Sequence, residues 1–61
     1  MIDYVIMSVR AYHNSEGKYV GTVVVIRDLN TDELFTGVGN GDQLAIQDAV
    51  NQKYNKQQKN D

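Results

Sequence analysis

Lys18-Tyr19-Val20-Gly21-Thr22-Val23-Val24-Val25-Ile26-Arg27-Asp28 is the most informative stretch of this chain. β-Branched and aromatic residues fill it, no proline interrupts it, and turn-forming residues bound it, which is the pattern of a strand. Two neighbouring stretches share that character. One runs from Ile2 to Tyr12, and a shorter one runs from about Glu33 to Val38.

The connection Asn14-Ser15-Glu16-Gly17-Lys18 predicts a short hairpin loop in which Gly17 takes positive φ without a Cβ clash. If Asn14 faces Lys18, then Tyr12 faces Val20, Arg10 faces Thr22, Ser8 faces Val24 and Ile6 faces Ile26. The opposite face then carries Val5, Met7, Val9, Ala11, Gly21, Val23 and Val25. A second tight hairpin is expected at Asn30-Thr31-Asp32-Glu33. Its register is ambiguous by one residue, so the faces of Leu34 and Phe35 stay open.

After Val38 the pattern changes period. Asn40 is placed to cap a helix, with Gln43 three residues on as a variant capping box. Ala45, Ile46, Ala49, Val50 and Tyr54 then recur on one helical face. Asp42 and Asp48 lie early and Lys53, Lys56 and Lys59 late, as the helix dipole favours. From about Asn55 the chain is wholly polar and is expected to fray. The expected fold is α+β: a three-stranded antiparallel meander followed by one C-terminal helix on one face, in a single domain spanning residues 1–61.

At 61 residues the chain is near the lower limit for independent folding, where about 60% of the unfolded surface is buried. Small scaffolds of this kind draw on disulfides, a metal or a second subunit. Cysteine is absent, and His13 is the only histidine. That excludes disulfides and thiolate or histidine-rich metal sites, and leaves oligomerisation. No basic leader segment opens the chain, and no apolar run approaches the roughly 20 residues a spanning helix needs. A cytoplasmic location is the expectation. A net charge of −2 favours neither bulk nucleic-acid binding nor a membrane surface.

One helix covers one face of such a sheet. The face with Met7, Val9, Val23 and Val25 is expected to take it, since Ala11 and Gly21 would let the helix approach closely. The other face, with Tyr4, Ile6, Tyr12, Val20, Val24 and Ile26, is then a surplus apolar surface and the candidate interface.

A few other groups have residue types suited to chemistry. Gly37-Val38-Gly39-Asn40-Gly41 precedes the helix, where backbone N–H groups suit an anion. The P-loop lysine and hydroxyl are missing, however, and Asp42-Gln43 follows. Turning the chain from sheet to helix accounts for these glycines. With Ala45 and Ala49-Val50, the turn glycines Gly39 and Gly41 make this region resemble the C-terminal part of double-stranded RNA-binding domains. That resemblance implies a sheet-and-helix architecture and phosphate contacts at the helix start. In that family a lysine pair opens the helix; here Asp42 and Gln43 stand there, and the family's first helix has no counterpart. Lys53, Lys56 and Lys59 are the possible phosphate contacts, with Arg10 and Lys18 from the sheet. His13 beside its turn has no assured catalytic partner, although Ser15 and Glu16 are close in sequence. Asp28, Asp32 and Glu33 are ordinary turn chemistry. Leu44 falls off the apolar helical face, either folded over the sheet edge or exposed.

The resulting expectation is a small non-catalytic interaction module without cofactor, acting on a protein through its sheet face or edge. Its partners would be a second copy of itself and another protein. Regulators and inhibitors of this size, including those of phages and mobile elements, are the associated functional class. A nucleic-acid-binding domain and an anionic-ligand binder at the glycine turn are the alternatives.

Overall fold

A computed structural model describes residues 3–57. Strands β1 (Tyr4–His13), β2 (Tyr19–Asp28) and β3 (Leu34–Gly39) are followed by helix α1 (Asp42–Gln57). The strands form an antiparallel sheet in the order β1-β2-β3, with the helix against it. This is the meander-plus-helix arrangement expected from the sequence.

The first hairpin follows from its local chemistry. Gly17 has φ of 82°, Asn14 N–H donates to the Lys18 carbonyl at 2.9 Å, and Asn14 Oδ1 accepts from the backbone N–H of Glu16 and Lys18. In the second hairpin the residue at positive φ is Asp32, at 65°. Its N–H donates to the Asp28 carbonyl at 2.7 Å, and Asp28 N–H donates to the Glu33 carbonyl at 2.8 Å. That geometry resolves the register: Phe35 stands opposite Ile26, and Leu34 opposite Arg27.

Register within the first hairpin departs from simple alternation. Ile6 does face Ile26, but Ser8 faces Val25, Val9 faces Val24, Arg10 faces Val23, Ala11 faces Thr22 and Tyr12 faces Gly21. The ladder slips between Ile6 and Ser8, where Met7 is the extra residue, and again beyond Tyr12, where Val20 is extra. Two bulges thus shift the middle of β1 by one position and restore it at the end, moving side chains from face to face.

The helix sits on the face opposite to the one expected. Val24 and Ile26 are fully buried beneath it, together with Thr22 and Asp28, while Val23 and Val25 lie on the far side. The cause lies in β3. Gly37 and Gly39 pair with Val24 and Thr22, so the glycines share their face. A Cβ at Gly37 would collide with the Ala45 carbonyl oxygen and the Ala49 backbone nitrogen; one at Gly39 would strike the backbone of Leu44 and Ala45. Only that face lets the helix backbone settle onto the sheet. Ala45 and Ala49 are completely buried there, with Tyr4, Phe35, Ile46 and Val50 packed around them.

Two helix details also differ. The Gly41 carbonyl accepts the first helical bond, from Ala45 N–H at 3.1 Å, so Gly41 with φ of 121° takes the cap position expected for Asn40. The helix also continues through Gln57, past the expected onset of fraying near Asn55.

Candidate interaction surface

Helix α1 packs chiefly on β3 and β2, off-centre on the sheet. The consequences differ at the two sheet edges. At β3 the helix reaches the outer edge at one point: Val38 N–H donates to Asp48 Oδ2 at 2.9 Å, and Lys56 pairs with Glu33 just before the strand. At β1 the outer edge is open. Among the described residues no strand stands beyond it, and its run Val5-Ile6-Met7-Ser8-Val9-Arg10-Ala11-Tyr12-His13 is exposed throughout. Only Arg10 in this strand is charged, and it has neither lysine nor proline. Charges, proline and bulges commonly blunt natural edge strands; β1 has one charge and one bulge, at Met7, and is otherwise a long apolar edge of the kind that templates another strand.

Both faces of β1 are therefore accessible. On the helix side, Ile6 and Val9 stand opposite the buried Ile26 and Val24 but are themselves 42% and 45% exposed. An open pocket of about 290 Å³ lies between Tyr4 and the helix residues Gln43, Ile46, Gln47 and Val50. Among the described residues no helix covers the far side of the sheet, and Leu34 and Val38 are exposed. The far face also carries Arg10 and Arg27, opposite Val23 and Val5 respectively. Arg27 has Asp32 from the turn at 3.7 Å.

The candidate interface residues thus divide. Val24 and Ile26 belong to the core and are not surface. Tyr4 is half-buried against that core, and Ile6 lies beside it at the open edge. Tyr12, opposite Gly21, is on the far face, and Val20 protrudes at the second bulge. The bulges and the glycine-selected helix face account for this scatter. Three of the six, Tyr4, Ile6 and Tyr12, lie on the edge strand β1; the other three are on β2.

The lysine cluster is not presented as a row. Lys53 is completely buried, its ammonium 3.0 Å from Asp3 Oδ2 and 3.9 Å from Asp28 Oδ2, with the Tyr54 ring centroid 4.8 Å away. Desolvation pulls its pKa down, but the hydrogen bond to Asp3 and the charges of Asp28 and Asp3 outweigh it, so the net shift is upward from 10.5. Lys56 is engaged with Glu33. Lys59 lies outside the described residues. Tyr54, expected on the buried face, is exposed; Lys53 occupies that place one turn beyond Ala49. The sequence carried one signal for this: Asp28 continues the alternation Thr22, Val24, Ile26 onto the buried face, where it requires a cation.

The remaining groups separate rather than converge. The His13 ring meets Tyr19 edge-on with centroids 6.0 Å apart. Asp28 Oδ1 accepts from Asn30 N–H at 2.7 Å, Asp32 serves Arg27, and Glu33 serves Lys56 and Thr31. Among the described residues no three metal-ligating side chains gather into a site. Leu44 is exposed. Comparison with protein-family models, curated proteins and solved structures finds no match to the chain.

Proposed function

We propose that the chain is a small non-catalytic interaction module, a regulator or inhibitor of another protein, that works by strand addition at the open β1 edge. The asymmetry between the edges carries this reading: the helix packs against β3 and bonds its edge at Val38, whereas nine of the ten residues of β1 are exposed. In strand addition the main chain supplies affinity and alternate side chains supply specificity. Here Ile6 and Val9 would read one face of the incoming strand, and Val5 and Tyr12 the other. The engagement of Lys53 and Lys56 with carboxylates favours a protein over a phosphate backbone as partner.

The test is affinity capture from the native host with the wild-type chain, Val9→Lys at the edge, and Leu34→Lys on the far face. A partner retained by wild type and Leu34→Lys but lost with Val9→Lys is the expected result. Capture indifferent to Val9→Lys overturns the assignment of the edge.

A further inference from the structure

We propose that, when no foreign strand occupies the edge, β1 pairs with β1 of a second copy, antiparallel across a two-fold axis, giving a continuous six-stranded sheet with both helices on the same face. This rests on the β1 edge being the contact surface. It goes further in naming the occupant and its register.

The register follows from the first bulge. Because Met7 is an extra residue, Ile6 and Val9 lie on the same face although they are three apart in sequence. Residues directly opposite each other in an antiparallel ladder share a face. Centring the pairing on the bulge satisfies this along the seam: Ile6 meets Val9 of the second copy, Tyr4 meets Ala11, Val5 meets Arg10, and Met7 meets Ser8. Shifting the pairing by one residue either way brings helix-side residues opposite far-side ones. The bulge thereby selects a self-complementary register.

Charge points the same way. In this pairing the two Arg10 side chains stand five residues apart along the seam, roughly 15 Å. That exceeds the Debye length of about 8 Å at physiological salt, so their repulsion is largely screened. Closing two far faces on each other would instead gather Arg10 and Arg27 of both copies in a poorly solvated layer without carboxylates on the strands. The edge is the surface on which a second copy meets least opposition.

The experiment is sedimentation of the purified protein alone across a wide concentration range, for wild type, Ile6→Glu, Val9→Lys and the double variant. Wild type should dimerise. Each single variant should weaken dimerisation by at least about 100-fold, because it places an unpaired charge in the seam. Ile6→Glu/Val9→Lys should recover most of it, since the introduced carboxylate of one copy then meets the introduced ammonium of the other at both ends. Circular dichroism checks that the variants fold. Should a single variant unfold, hydrogen exchange on wild type decides, with β1 amides expected to gain protection as concentration rises. A wild type that stays monomeric, a dimer indifferent to the single variants, or β1 protection independent of concentration overturns the self-pairing. A foreign partner still captured through the edge would then leave the interaction-module reading standing.

Discussion

Among the described residues Lys53 is the largest side chain completely removed from solvent, beside the fully buried apolar residues Val24, Ile26, Ala45 and Ala49. It is tolerated because its stem continues the Ala45–Ala49 stripe while Asp3 and Asp28 receive its ammonium. An ammonium facing two carboxylates ties the start of β1, the end of β2 and the last turns of α1 together. Removing it leaves those carboxylates facing each other without their cation, which is costlier than losing an exposed pair. Lys53→Met is expected to lower the melting temperature clearly, and Lys18→Met, at an exposed turn, hardly at all. The pH dependence has a definite sign. A lysine whose pKa rises on folding contributes stability that is complete below its unfolded value and is lost as pH climbs through the folded one. The difference in melting temperature between wild type and Lys53→Met should therefore hold from pH 7 to about 10 and shrink only above the ordinary value of 10.5. A difference that already vanishes between pH 7 and 9 would contradict the upward shift.

At the level of elements, the contact between α1 and β3 sets the architecture. Helix and sheet commonly keep side chains between their backbones; here Gly37 and Gly39 remove them, and Ala45 and Ala49 meet the strand directly. Gly37→Ala is expected to cost about 3 kcal/mol or more, because the obstacle is helix backbone, which cannot rotate away as a side chain can. Urea denaturation of the variant measures it. Such a loss would also release the Asp48 bond to the β3 edge at Val38, so Gly37→Ala should aggregate more readily than wild type. Gly17 offers a milder comparison. Its positive φ makes Gly17→Ala strained by about 1 kcal/mol, with the sheet intact.

For the whole molecule, the off-centre helix divides stability unevenly. β2 lies between two strands and beneath the helix, whereas β1 is held by β2 along one side. Local openings follow burial. In dilute protein, amides of β2 should exchange slowest and those in the middle of β1 markedly faster. Equal protection in both strands would argue against the uneven division. With so small a core, truncation has large effects: Ile26→Ala should cost about 2–5 kcal/mol, enough to leave much of the population unfolded at 25 °C by chemical denaturation.

The elements and their order are written locally in the chain. β-Branched runs broken by Asn14–Gly17 and Asn30–Asp32 make a meander, and the spacing of Ala45, Ile46, Ala49 and Val50 makes the helix, because these are local preferences of the backbone. The presence of a free surface was legible too, since one helix cannot cover a three-stranded sheet. Which surface stays free emerges only from packing in three dimensions. Bulges at Met7 and Val20 depend on pairing across strands, and the choice of helix face depended on the register of the second hairpin, which brings Gly37 and Gly39 into line with Val24 and Thr22. Alternation along one strand cannot report either, because both arise where two or three elements must fit at once. The burial of Lys53 has the same origin: its two carboxylates lie fifty and twenty-five residues away in the chain and meet it only when the sheet and helix have closed.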